Sequence, residues 1–362
     1  IPLNGETMSA PLLPTSPAEL VDAIRSAPRV IAVGAGTKPR MSAVSADYVR
    51  VSTTQLRGIV EYEPSEFTFT ALAGTPLQEL AVVLAERGQY LPFDPLFAAA
   101  GATLGGTVAA GLSGPGRFRF GGLRDFILGV RFVDGEGRLL RMGGKVVKNA
   151  AGFDLPKFFV GSVGRFGVLA ELTFKVFPRP VTQRTLRLEV RDLSAKLNLL
   201  SEAGRARWEL DALEGPLEES VIYARLAGPA AALELIAAEI LQRWSGATLD
   251  VNVAADLWQA VSDFSWSHPS GTLVKVVIAP SDVAEFATGV RSISDARGWI
   301  GAGGNVGFVS LPPGTAFATL RWPAVTLRGD AALWPGAKPR FELMRAVKSA
   351  LDPNNRFPDL DE

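Results

Sequence analysis

Gly101-Ala-Thr-Leu-Gly-Gly-Thr-Val-Ala-Ala-Gly-Leu-Ser-Gly-Pro-Gly-Arg-Phe-Arg-Phe-Gly-Gly-Leu-Arg-Asp-Phe-Ile-Leu-Gly129 carries nine glycines and an Arg-Asp pair, Arg124-Asp125, near its end. Glycine inside a helix or strand costs about 0.5–1 kcal/mol relative to alanine, so this density marks chain that turns sharply or meets a ligand through its main chain. The stretch reads as one wall of a site for a large anionic cofactor, with a diphosphate as the anion. A membrane span is the competing reading, because Pro95 to Gly116 carries no charge. The Gly, Thr, Ser and Pro content of the segment argues against a lipid-facing helix.

A second glycine turn follows the apolar run Val30-Ile31-Ala32-Val33, which reads as a buried strand, and continues Gly34-Ala35-Gly36-Thr37-Lys38. Successive amides at a strand's end form an anion-binding nest. The dinucleotide fingerprint G-x-G-x-x-G/A is not met, because Pro39 and Arg40 stand where its third glycine and helix belong, so a nicotinamide-type site is disfavoured.

Two further segments join these loops: Val146-Val147-Lys148-Asn149-Ala150-Ala151-Gly152-Phe153-Asp154, and Gly161-Ser162-Val163-Gly164-Arg165-Phe166-Gly167-Val168 with its continuation to Val176. In this order the motifs resemble the vanillyl-alcohol oxidase and p-cresol methylhydroxylase type of FAD-binding flavoproteins, and within it the FAD-binding subunits of bacterial glycolate oxidases. The resemblance covers roughly residues 20 to 178 and returns in the tail from Leu343 to Asn354; residues 180–340 match faintly. It implies an α+β fold: a two-subdomain FAD-binding domain over residues 1–178, a smaller α+β cap with an antiparallel sheet over 179–340, and a C-terminal helix and tail, 341–362, returning to the FAD domain.

The chain's own signals fit that organisation. A length of 362 residues with 47% hydrophobic content supports two buried cores. Ser16 caps a helix over Pro17 to Ile24; Phe67 to Thr75 alternates as a strand; Pro76 to Leu80 starts a helix ending near Gly88, with Thr75 as its cap. Ile127 to Arg141 reads as a hairpin about Asp134-Gly135-Glu136-Gly137. After Phe177-Pro178-Arg179-Pro180, strands are predicted at Leu186–Val190, Ser220–Leu226 and Gly271–Ile278, with a helix at Ala230–Trp244 and the helices on one face of the sheet.

Composition removes several function classes. Thirty-seven basic and thirty-seven acidic residues balance, and no basic cluster interleaves with aromatics, so no nucleic-acid partner is expected. With no cysteine, the chain cannot form disulfides, ligate iron–sulfur clusters or bind flavin through cysteine. The single histidine, His268, sits in a turn-like segment and reads as a surface loop residue; no metal site is expected. Since some members of the resembling family attach FAD through a histidine of the FAD domain, and none stands there, noncovalent FAD is expected. The N-terminus lacks a signal-peptide pattern, Met8 is a possible natural start, and cytoplasmic residence is the expectation.

The phosphate cradles assigned are Gly34, Ala35, Gly36 and Thr37, with Thr103, Gly105, Gly106 and Thr107. The resemblance adds Gly111, Ser113, Gly114, Asp125 and Val168 as further FAD contacts, and sets Lys145, Lys148 and Asp154 near the flavin or in solvent. Arg165 departs from the small or hydroxyl residue that the family carries there.

The implied reaction oxidises a small 2-hydroxy acid, glycolate or lactate, with a base taking the hydroxyl proton. No catalytic residue is identified: His268 alone cannot supply the family's histidine sets, and Arg225, Lys275 and Arg321 are either carboxylate binders or salt-bridging surface residues. The resemblance therefore favours an FAD-binding subunit of a glycolate oxidase complex. It would work beside a catalytic flavoprotein and an iron–sulfur subunit, reaching the membrane only through such partners. A self-sufficient FAD dehydrogenase and a flavin-free assembly subunit are the alternatives.

Overall fold

The computed structural model of the protein describes residues 10–144, 154–317, 319–338 and 341–360. Met8 and the stretch containing Lys145, Lys148 and Asn149 lie outside the described residues. The first elements are α1 (Pro17–Arg25), β1 (Val30–Val33) and β2 (Val49–Ser52). Ser16 accepts the N–H of Glu19 at 3.2 Å, Pro17 occupies the first helical turn where a missing N–H costs nothing, and Leu20 and Ile24 face the core. β1 and β2 pair in parallel, Val30 opposite Val49, so β1 delivers Gly34 to the sheet's end.

Then come β3 (Ile59–Glu63), β4 (Thr68–Leu72), α2 (Leu77–Ala85), β5 (Gln89–Tyr90), α3 (Leu104–Ala110) and α4 (Arg117–Phe120). They are followed by β6 (Ile127–Val133), β7 (Leu139–Gly143), α5 (Leu155–Phe158), β8 (Val168–Lys175) and β9 (Phe177–Pro178). Five of these strands form an antiparallel sheet in the order β3-β4-β8-β6-β7. The predicted hairpin is β6–β7, with Val133 opposite Leu139. Thr75 does not cap α2: Pro76 holds that position, and the Thr75 hydroxyl donates to the Leu72 carbonyl at 2.7 Å and accepts the Gly58 N–H at 2.9 Å. The hydroxyl thus closes the turn between β4 and α2 instead of the helix end.

An eight-stranded antiparallel sheet follows, built from β10 (Thr182–Glu189), β11 (Ala212–Pro216), β12 (Val221–Gly228), β13 (Gly246–Thr248), β14 (Thr272–Val277), β15 (Arg297–Gly301), β16 (Val306–Leu311) and β17 (Ala324–Arg328). Their spatial order is β13-β10-β12-β11-β15-β16-β14-β17. Five strands beyond the three predicted appear, and four of them carry glycine or proline, at Gly215, Pro216, Gly246, Gly298, Gly301 and Gly307, which interrupt the apolar alternation that marks a strand.

Strand periodicity gives this sheet two different faces. Leu213, Ile222, Ala224, Val274, Val276, Ile300 and Val309 pack in one core with α6 (Leu193–Ala203), α7 (Ala230–Arg243) and α9 (Val283–Arg291). The alternate positions, including Leu273, Trp299 and Phe308, belong to the core of the first half, shared with Phe93, Phe97 and Phe174. α8 (Val251–Ser262) departs from the one-face expectation, since Leu257, Trp258 and Val261 join that second core; Phe97 stacks on Phe264 at 4.9 Å just beyond it. The chain ends with α10 (Phe341–Leu351). Lys348 Nζ donates to the Arg165 carbonyl at 2.9 Å and pairs with Asp352, while the Val30 N–H donates to the Arg356 carbonyl at 2.8 Å, so the tail closes against the start of β1.

Candidate functional site

A cleft with about 740 Å³ of free space, continuous with solvent, opens on the first half. Its walls are Gly34 to Lys38 beyond β1, Thr103, Gly105, Gly106, Ala109 and Ala110 on and before α3, and Ser162 to Gly164 with Gly167 to Leu169 leading into β8. Two walls touch: a Cβ added to Gly34 would sit 2.9 Å from Thr103 Oγ1. Gly36 has φ +73°, the left-handed conformation that turns the loop back on itself. The N–H groups of Ala35, Gly36 and Thr37 have no protein acceptor among the described residues. Thr107 Oγ1 and Ser162 Oγ are buried without a hydrogen-bond partner. Lys38, 9% exposed, donates from Nζ to Thr37 Oγ1 at 2.8 Å, and burial pushes its pKa down to about 8. Unspent donors and a buried cation around a narrow slot suit a polyanion, as charge-assisted bonds of about 1.5–3 kcal/mol each offset its desolvation.

Below the eight-stranded sheet lies a second, smaller chamber, with about 10 Å³ open to a water-sized molecule. Ser113, Gly114, Pro115 and Arg117 line it from the first half, and Glu214, Phe264, Trp266, Trp299 and Phe308 from the second. The segment 103–117 therefore runs from cleft to chamber. Glu214 shares its sheet face with Tyr223, its partner across the β11–β12 ladder. Its Oε2 accepts Trp299 Nε1–H at 2.8 Å and Oε1 accepts the Ala302 N–H at 3.3 Å, and complete burial pushes its pKa up to about 7. Arg117 is pulled below the ordinary guanidinium value by burial. The Trp266 indole N–H is buried without a partner.

Lys275, also on the inner face of the sheet, reaches across to donate to the Gly111 carbonyl at 2.9 Å. Burial, with the Arg117 charge adding to it, pushes its pKa down to about 7. It has no carboxylate within ion-pair distance among the described residues, which corrects its reading as a salt-bridging surface residue. Arg225 is buried too and pairs with Asp94 across the two halves, lying 5.0 Å over the Trp258 ring. Arg321 is exposed and pairs with Asp282 at 3.1 Å and Glu285 at 2.8 Å.

The sequence-assigned residues divide accordingly. Gly34, Ala35, Gly36, Thr37, Thr103, Gly105, Gly106 and Val168 line the cleft. Thr107 is buried behind it, and Gly111 ends α3 in the left-handed conformation against Gly161. Ser113 and Gly114 line the chamber, with Ser113 Oγ accepting the Leu123 N–H at 2.9 Å. Asp125 lines neither cavity; it is exposed, and its carboxylate accepts the Gly122 N–H at 2.8 Å as a local cap. Asp154 is exposed and pairs with Lys157 at 2.8 Å. His268 is half-buried outside both cavities, its Nε2 2.8 Å from the Asp295 carbonyl. No group of three metal-ligating side chains occurs among the described residues.

Arg165, the departure from the family pattern, is fully buried and donates to the Val163 carbonyl at 2.6 Å and the Met41 carbonyl at 3.2 Å. It joins two walls of the cleft. Lys38, Arg117 and Glu214 escaped the site assignment. Lys38 directly follows the assigned loop and Arg117 lies inside the glycine-rich stretch, whereas Glu214 sits in a short strand whose Gly-Pro end hides it.

Residues 9–143 match the family model described as FAD binding domain. Over 317 residues the chain is 34% identical to the glycolate oxidase subunit GlcE of Escherichia coli, covering 83% of each protein. It is 30% identical over 144 residues to the glycolate oxidase subunit GlcD of Bacillus subtilis, covering 40% of this chain and 30% of that one. A D-2-hydroxyglutarate dehydrogenase of Xanthomonas citri pv. viticola is 30% identical over 208 residues, 56% of this chain and 43% of the relative. The chain thus spans less than half of these last two proteins. A solved structure of alkyldihydroxyacetonephosphate synthase shares the fold with a TM-score of 0.67 at 16% identity, over 96% of this chain and 77% of that one.

Proposed function

Because the chain belongs to the family of FAD-binding flavoproteins that includes the glycolate oxidase subunit GlcE, we propose that it is the FAD-binding subunit of a glycolate oxidase, oxidising glycolate to glyoxylate and passing the electrons to a partner. The observation carrying this reading is the continuous path formed by residues 103–117, which leaves a cleft rich in unused donors and enters the chamber under the second sheet. FAD, when bound, supplies the two-electron acceptor for oxidation of the hydroxy acid.

The Ala35, Gly36 and Thr37 amides and Lys38 would hold the diphosphate, with the close approach of Gly34 to Thr103 bringing two walls of the cleft together around it. In this reading the chamber, which has room for about one water, would widen to take the redox end and the acid. Residues 1–178 form the FAD domain, 179–340 the cap over the chamber, and 341–362 the return to the FAD domain. FAD is noncovalent in this reading, since the chain has no cysteine and His268 lies outside both cavities. Iron–sulfur clusters needing cysteine would sit on a partner, beside a second, catalytic flavoprotein. The assembly is cytoplasmic, meeting a membrane only through those partners; no helix among the described residues is long and apolar enough to cross one.

The second reading, a dehydrogenase acting on 2-hydroxy acids by itself, is favoured by one observation: a buried carboxylate, Glu214, on the chamber wall. A visible absorbance spectrum of the purified chain, before and after denaturation and after anaerobic glycolate, tests both readings. Flavin bands released by denaturation support noncovalent FAD. Bleaching by glycolate alone supports the self-sufficient enzyme, and no bleaching supports the subunit that needs a partner. No bands after adding FAD would remove the cofactor reading.

A further inference from the structure

We propose that Glu214 is the proton acceptor of the chamber, taking the hydroxyl proton of a small 2-hydroxy acid as its carbon-bound hydrogen leaves as hydride to the bound flavin. The inference rests on the reading that the chamber holds the acid. Atoms and electrons balance: the C–H and O–H bonds break, a C=O bond forms, the proton goes to a Glu214 carboxylate oxygen, and the electron pair goes with hydride to FAD as oxidant. The product is the 2-oxo acid.

Geometry selects this residue. Glu214 lines the chamber, where the other ionisable side chain of the lining is Arg117. It is 4% exposed and reaches no cation within ion-pair distance among the described residues. Its two oxygens are oriented by the Trp299 indole and the Ala302 amide, leaving each with capacity for a further bond. A carboxylate neutralised by an arginine or lysine would be a poor base; this one is held by neutral donors in an apolar wall of Phe264, Trp266, Trp299 and Phe308. The groups facing it are Arg117 from α4, Tyr223 and Arg225 from β12, and Asp94. Burial is the largest influence and raises the pKa, the Trp299 and Ala302 bonds and Arg225 lower it, and Asp94 raises it, giving about 7. A base near the working pH transfers protons best. Arg117, a half-buried cation with no carboxylate in ion-pair distance among the described residues, is placed to hold the acid's carboxylate.

The test uses the full chain loaded with FAD, alone and with its partner subunits, mixed anaerobically with glycolate or D-lactate. The wild-type rate of flavin reduction is expected to rise with pH and level off above about 7, because only ionised Glu214 accepts the proton. Glu214→Gln should slow reduction by about 10²–10⁴-fold and abolish that limb, while leaving FAD affinity and thermal midpoint near wild type. Oxalate, an unreactive dianion, gives a readout without turnover: its affinity, followed by flavin spectral shifts, should fall as pH rises through about 7 in wild type and lose that dependence in the variant. If Glu214→Gln fails to fold, Trp299→Phe removes one bond to the carboxylate and should move the wild-type limb to higher pH. A flat wild-type profile, an unmoved limb, or wild-type reduction by the Gln variant overturns the assignment. FAD bound but reduced by neither acid in any form of the protein overturns it and leaves the cofactor reading intact; failure to bind FAD overturns both.

Discussion

At the scale of single residues, the cleft joins neutral donors to one tunable cation. Lys38 is partly neutralised by burial, with a pKa of about 8 in the free protein, and a bound diphosphate would raise it. Its contribution to FAD affinity should therefore be full below about 8 and decline as pH rises above that value, because the free protein then no longer carries the proton that binding requires. Lys38→Met should weaken FAD by about 10- to 100-fold at neutral pH and flatten that dependence, as read by fluorescence titration. An affinity unchanged by the substitution would show that the amides alone hold the phosphates. The sequence exposed the amides, since glycines after an apolar run mark a nest, but not the lysine, whose burial depends on Phe97 arriving 5.3 Å from its ammonium group.

At the scale of elements, α3 is positioned by contact with β4. The Gly105 N–H donates to the Ala73 carbonyl at 2.7 Å, and a Cβ on Gly105 would sit 2.7 Å from the Ala73 Cβ and 2.9 Å from its carbonyl oxygen. Gly105→Ala should push α3 off the strand, lower stability by about 1–3 kcal/mol and reduce FAD affinity together, measured by thermal unfolding and titration on the same preparation. Loss of affinity at unchanged stability would point to the ligand side of the glycine instead. The glycine pattern exposed this approach, whereas the α2 boundary shows what local pattern misses. Thr75 looks like a cap, yet its hydroxyl bonds across the turn to Gly58, seventeen residues earlier in the chain.

At the scale of the whole molecule, the two halves are joined by a shared apolar core and by the Asp94–Arg225 pair. Arg225→Met would leave the Asp94 carboxylate with the Gly116 N–H as a remaining partner and with Asp211 nearby, and should cost about 1–3 kcal/mol, seen as a lower thermal midpoint. A midpoint within experimental error of wild type would mean that Asp94 is rescued by solvent. What the sequence by itself determined is the flavoprotein fold of the first half and the glycine loops that line the cleft, because backbone approach demands glycine at fixed places, and the chain writes those glycines locally. Alternation also marked several strands of the second sheet. Only the tertiary structure decided which of its polar residues matter. Glu214, Arg225 and Lys275 look like ordinary charges in a linear reading; the sheet turns their face inward onto residues 94–117, and desolvation there, a property of the assembled core and not of any segment, gives Glu214 and Lys275 shifted pKa values and Glu214 its place on the chamber wall.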